Sequence, residues 1–162
     1  MEYILDKNTG GINFGPYLEY LNSITDSLPP HVYAFASDSR HYDLQSHSSL
    51  HDAWLETFNI GENANGATKQ IRQIEIRMCL LGPFHDLKIH LHYLGVERYF
   101  LDAPARTGEI RFAHIGHGDL LAHEIRLGLD GLLIHELQFE RGGTILIECK
   151  DILHSEEIIN LG

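Results

Sequence analysis

Between residues 50 and 150, apolar and polar side chains alternate in short runs broken by glycine-containing turns, the period-two pattern of half-buried strands. Residues 70–81 set Ile74, Ile76, Met78 and Leu80 on one side and Gln73, Glu75 and Arg77 on the other. Gly82-Pro83-Phe84-His85 then makes a turn, and Leu87, Ile89, Leu91 and Tyr93 form the next apolar face. Leu94-Gly95 reads as a two-residue turn into a strand over 96–102, followed by a weaker strand over 109–114 and a loop at 116–119. The next hairpin is registered by parity. Leu121, Ile125 and Leu127 share one face, Leu133, Leu137 and Phe139 share another, and a three-residue loop, Leu129-Asp130-Gly131, puts both sets on the same side. It places Gly131 where a left-handed residue is needed. Arg141-Gly142-Gly143 turns the chain into a closing strand over 144–149.

The rest of the chain carries a different period. Over 15–28, Tyr17, Leu21, Ile24 and Leu28 recur at steps of four, three and four, which predicts one amphipathic helix. Pro16 suits its first turn and Pro29-Pro30 ends it. Residues 32–36 read as a strand and 38–49 as a polar loop. Residues 50–60 read as a strand carrying Trp54 and Phe58 on one face, 61–68 as a turn, and 151–160 as a short terminal helix. The expected fold is mainly β (α+β): an antiparallel meander of about eight strands over 50–150, forming a sandwich or flattened barrel of up-and-down topology with an N-terminal helix. A chain of 162 residues with no visible repeat or boundary fits a single domain over 1–162.

Composition narrows the function classes. A hydrophobic fraction of 43% and a charged fraction of 22% are ordinary for a soluble domain. No apolar run approaches the roughly 18 residues of a membrane span, and residues 1–11 lack the basic start and apolar block of a signal peptide. A cytoplasmic location is the resulting expectation. Cys79 and Cys149 both fall in predicted strands and read as two free buried thiols, with a disulfide between them as the alternative. The net charge of −11 is uneven: the acidic excess lies in residues 1–66 and 119–162, while 67–118 is slightly basic. Such a surface repels nucleic acid and anionic lipid and favours a basic protein partner. The oligomeric state is left open.

Three groups of residues could carry chemistry. His90 and His92 stand two apart on a strand, and with Leu94-Gly95 as a turn His92 pairs with Glu97. Two imidazoles and a carboxylate then converge as ligands for one divalent transition metal. This resembles the core of the cupin motif, in which an HxH pair and a Glu on the next strand hold a metal inside a β-barrel; the second cupin motif, with its PxG turn, is absent. Parity opposes the arrangement, because Leu87, Ile89, Leu91 and Tyr93 are the apolar face and leave both histidines beside Lys88 in solvent. His123 and His135 are diagonal neighbours on the apolar face, as further metal ligands or as neutral buried rings. The third group is Asp38, His41, Asp43, His47, His51 and Asp52, a polar binding surface. No nucleophile elbow, CxxC pair or phosphate-binding glycine loop occurs.

The stretch Ser48-Ser49-Leu50-His51-Asp52-Ala53-Trp54-Leu55-Glu56 resembles the opening strand of uncharacterised small bacterial all-β families. Some relatives of that type are regarded as immunity proteins, which neutralise a toxin. The resemblance implies a binding protein without catalytic residues or cofactor, and this is the favoured expectation. A cupin-like metal protein using His90, His92 and Glu97 is the alternative.

Overall fold

A computed structural model describes residues 1–5, 11–103 and 116–159. Eight antiparallel strands form two four-stranded sheets, a β-sandwich. The first sheet has the order β1-β2-β3-β8, from β1 (Trp54–Asn65), β2 (Ile71–Leu81), β3 (Leu87–Val96) and β8 (Asp151–Ile158). The second has the order β4-β7-β6-β5, from β4 (Arg98–Asp102), β7 (Thr144–Cys149), β6 (Leu133–Phe139) and β5 (Leu120–Leu127). Helices α1 (Phe14–Ser23) and α2 (Pro30–Ser37) precede them, each followed by one 3₁₀ turn.

The order is not a simple meander, and one corner explains why. β3 runs into β4 and β7 runs into β8 with one intervening residue each, so two long strands pass from one sheet to the other side by side. The Lys150 amide donates to the Leu94 carbonyl (3.0 Å), and the Glu97 amide donates to that of Glu148 (2.9 Å). Gly95 makes the bend at φ 59°, where a side chain is strained by the backbone and its Cβ would stand 2.9 Å from Cδ of Lys150, so glycine is favoured. Leu94-Gly95 is therefore a corner between sheets and not a hairpin turn.

The alternation read from the sequence holds through most strands. Ile76, Met78 and Leu80 meet Leu87, Ile89, Leu91 and Tyr93 in one buried cluster with Leu133, Leu137, Phe139, Ile145 and Ile147 from the other sheet. In the β5–β6 hairpin His123 stands opposite Leu137 and Ile125 opposite His135, the predicted register, with Gly131 at φ 79°. Leu121 departs from its expected face because a bulge shifts the register between Leu120 and Ala122, burying Leu120 instead. The expected strand over 109–114 lies outside the described residues. Cys79 and Cys149 are both free and buried.

Two elements change type. Residues 32–36 are helical: Pro30 takes the first position of α2, and Val32, Phe35 and Ala36 are buried at the i, i+3, i+4 spacing of one helix face. A five-residue apolar run is ambiguous in period, and Pro29-Pro30 marks a start as well as a stop. The 15–28 helix correspondingly ends at Ser23, leaving a 3₁₀ turn at Thr25–Ser27. Residues 151–158 form a strand, because β3 presents an edge whose backbone groups need partners. That pairing decides the conformation of a segment whose own preference is weak.

Helix α1 guards the edge of β5. The Tyr17 hydroxyl accepts from the Ile125 amide (2.7 Å) and donates to the Ile125 carbonyl (3.1 Å), while the Tyr20 hydroxyl accepts from the Leu127 amide (2.9 Å). Farther along the same edge, the Asp52 amide donates to the Leu120 carbonyl and the Leu120 amide to that of Ala53. The Ser48–Glu56 phrase thus forms a buried turn, with Leu50 and Ala53 inaccessible and Asp52 at φ 64°, leading into β1.

Candidate functional site

The site begins with the parity of β8. Ile152 stands opposite Tyr93, His154 opposite Leu91 and Glu156 opposite Ile89, so the inward face of this strand reads Ile-His-Glu. An imidazole and a carboxylate are thereby turned toward the interior, under α2 and the turn that follows it. That turn, Ser39–His41, delivers His41, which is only 1% exposed.

The three side chains converge. His41 Nε2 lies 3.5 Å from Glu156 Oε1, and His154 Nε2 lies 3.6 Å from the same oxygen. All three atoms fall within 4.8 Å of one another, and none has a hydrogen-bond partner among the described residues. Their orientation is fixed from behind. His41 Nδ1 donates to the Phe35 carbonyl (3.0 Å), which leaves Nε2 with its lone pair. The Ser48 hydroxyl donates to Glu156 Oε2 (3.0 Å), which leaves Oε1 without a hydrogen bond, with Arg40 Nη2 3.9 Å away. Burial pushes the His154 imidazole down to about 4, so near pH 7 His154 presents a neutral ring.

This arrangement has the features of a metal centre that keeps an open position. In a tetrahedral site with bonds of ~2 Å, ligand atoms stand about 3.3 Å apart. The two observed separations to Glu156 are close to that. Carbonyl and hydroxyl groups behind the ligands match the outer contacts that orient metal-binding imidazoles and carboxylates. His41 and His154 also line a cavity of about 300 Å³, together with His31, Phe35, Asp38 and Arg40. Arg40 closes on Asp38 through its Nε and Nη2 (2.7–3.2 Å) and holds the Asp38 carboxyl below its usual range. At the mouth His31 Nε2 meets Asp151 Oδ1 at 2.6 Å.

Phe35 divides the interior histidines into two pairs. Its ring centroid is 4.8 Å from His41 and 4.6 Å from His154 on one side, and 5.8 Å from His123 and 6.2 Å from His135 on the other. The second pair forms a dry chain. Tyr93 Oη lies 2.8 Å from His135 Nδ1, and His135 Nε2 lies 3.2 Å from His123 Nδ1. With Tyr93 donating to His135 and His135 to His123, one buried N–H, at His123 Nε2, is left without a partner among the described residues; the reverse arrangement strands the Tyr93 proton instead. Burial lowers the His135 pKa to about 3 and that of His123 well below its ordinary value.

No family model, curated protein or solved structure matches the chain. The functional reading therefore rests on the residues themselves.

The structure distributes the sequence-predicted residues widely. His90, His92 and Glu97 do not meet, because Glu97 lies beyond the Gly95 corner. His92 stands opposite Arg77 and Leu153, His90 opposite Cys79 and Ser155. Each has its own outward partner: His90 with Glu157 (3.1 Å), His92 with Glu75 (3.0 Å), Glu97 with Lys150 (2.9 Å). His123 and His135 are in contact with each other but are held on the far side of Phe35. Of the polar group, Asp38 and His41 reach the cavity. Asp43 caps the Gln45 amide (2.9 Å), His47 pairs with Asp86 (2.6 Å), and His51 meets its neighbour Asp52 (2.9 Å). The sequence does not single out His154 and Glu156, because a helix over 151–160 would separate their side chains. On a strand, the His-Ser-Glu spacing by itself places both side chains on one face.

Proposed function

We propose that this chain binds a divalent transition metal through His41 Nε2, His154 Nε2 and Glu156 Oε1, with a fourth coordination position facing the cavity. The observation that carries the reading is the convergence of three oriented donor atoms, inaccessible to solvent, that have no hydrogen-bond partner among the described residues. Two nitrogens and one oxygen suit zinc, iron, nickel or cobalt better than calcium or magnesium, which prefer all-oxygen shells. A metal held by three protein ligands can accept a water or a small donor ligand in its open position, and it lowers the pKa of a bound water. The protein on this reading is a metal-dependent binding module whose cavity admits a small ligand to the ion.

Cobalt(II) tests the site directly, because four-coordinate Co(II) absorbs strongly in the visible. Chelator-treated, tag-free protein is expected to take up one equivalent and develop this absorption. His154→Ala and Glu156→Gln are each expected to weaken uptake at least about 100-fold, while His90→Ala and His92→Ala leave it unchanged. Far-UV circular dichroism establishes that the variants fold. Uptake lost in His92→Ala and retained in His154→Ala would move the site to the outer face, and no visible absorption in any protein would end the proposal.

A further inference from the structure

The edges of the second sheet are treated unequally. β5 is closed by the tyrosines of α1 and by the turn before β1, whereas every residue of β4 is exposed and no strand among the described residues pairs with its outer edge. β4 places Tyr99, Phe100 and Leu101 in succession on that edge, at 42%, 56% and 45% exposure. The outer strands of the first sheet carry nothing similar: β1 is interrupted by Glu56, Asn59, Gly61, Glu62 and Asn63, and β8 by Ser155, Glu156 and Glu157. Polar and charged residues on an edge oppose pairing with another chain, and β4 lacks them in its middle.

The ends of β4 are charged, and they are opposite in sign. The strand reads Arg98-Tyr99-Phe100-Leu101-Asp102. An antiparallel partner with the same sequence, centred on Phe100, sets Arg98 against the second copy's Asp102 at both ends. It also sets Tyr99 against Leu101 and Phe100 against itself. A parallel or shifted register breaks this match. Asp102 forms no ion pair among the described residues, and Arg98 touches Glu148 (3.3 Å) while remaining 69% exposed. Both can reach a second chain. We infer that β4 is a self-complementary edge that joins two copies of this chain across a twofold axis, fusing their second sheets into one continuous eight-stranded sheet.

Two charge reversals test this register. Sedimentation velocity is expected to show wild-type protein at twice its 18.4 kDa mass as concentration rises. Asp102→Arg sets arginine against arginine at both ends, and Arg98→Asp sets acid against acid. Each is expected to weaken self-association at least about tenfold. An equimolar mixture of the two variants restores opposite charges at both ends of a heterodimer and is expected to recover the wild-type dimer. A monomeric wild type at 200 μM (an assay ceiling of about that order) overturns the inference. So do single variants that stay dimeric, or a mixture of folded variants that stays monomeric. If either reversal fails to fold, Phe100→Lys is read in its place: persistence of its dimer overturns the inference, and loss of the dimer supports it. Metal uptake is independent of all these outcomes.

Discussion

Glu124→Gln is expected to lower the unfolding free energy by about 3–5 kcal/mol, the range for leaving a buried ionic network without one partner. The carboxylate is fully inaccessible and accepts four donors. Oε1 takes the Glu2 amide (2.8 Å) and Arg126 Nη1 (3.2 Å), and Oε2 takes the amides of Tyr3 (2.7 Å) and Ile4 (2.8 Å). Glutamine keeps one acceptor but turns an NH₂ group toward N–H donors, so at least one backbone amide is stranded. The consequence spreads beyond one side chain. Ile4 is buried in the core, Tyr3 stacks on Tyr20 of α1 at 3.9 Å, and the Met1 amine meets Glu136 Oε1 at 2.6 Å. Urea unfolding measures the loss, and hydrogen exchange at Tyr3 and Ile4 should rise with it. A loss below about 1 kcal/mol would show that residues 1–5 are held by packing and not by this carboxylate.

Acid should unfold the protein through its dry histidine pair. His135 is pushed down to about 3, so its ring stays largely neutral in the folded chain at pH 4–6 but takes a proton in the unfolded chain, and burial shifts His123 in the same direction. The unfolded state then binds more protons, and stability falls as pH falls. The loss begins near the unfolded pKa of about 6.5 and runs at roughly 1.4 kcal/mol per pH unit for each ring. For His135 it continues down to about pH 3. Between pH 6 and pH 4 His135 alone is expected to remove on the order of 2.5 kcal/mol, a large share of the whole stability of many domains. His135→Gln can still bridge Tyr93 and His123 but cannot ionise, and it should make the slope shallower by up to about 1.4 kcal/mol per pH unit. Urea midpoints for wild type and variant at pH 7, 5.5 and 4.5 provide the comparison. Parallel curves would assign acid unfolding to other groups.

Much of the sandwich is legible in the sequence because alternation is a local property. Ile74 to Leu80 and Leu87 to Tyr93 display their faces without reference to the rest of the chain, and the β5–β6 register follows from parity and one left-handed glycine. The misassigned segments are those whose partners are distant. Residues 151–158 take their conformation from β3, some sixty residues earlier, and Leu94-Gly95 is a corner only because Glu148–Lys150 runs beside it. The candidate metal centre inherits both errors. Treating Gly95 as a turn draws Glu97 to His92, and treating 151–160 as a helix hides the face shared by His154 and Glu156. His41 was visible as a polar residue in a polar loop, but its burial beneath Phe35 is a tertiary fact. The parity argument placing His90 and His92 outside the core agrees with their exposure in the sandwich.

The tyrosine hydroxyls of α1 also have a bearing on growth. Strand addition is an open-ended reaction whenever both margins of a sheet accept a newcomer, and it then runs on into fibrils. In this sheet one margin is occupied by phenols that satisfy the amides of Ile125 and Leu127 and offer no complementary ladder to a third chain. On the inferred pairing, joining two molecules at β4 uses the open margin of this sheet in each. On that pairing Tyr17 and Tyr20 would act as chain terminators, and their removal would turn a finite pair into a unit able to polymerise.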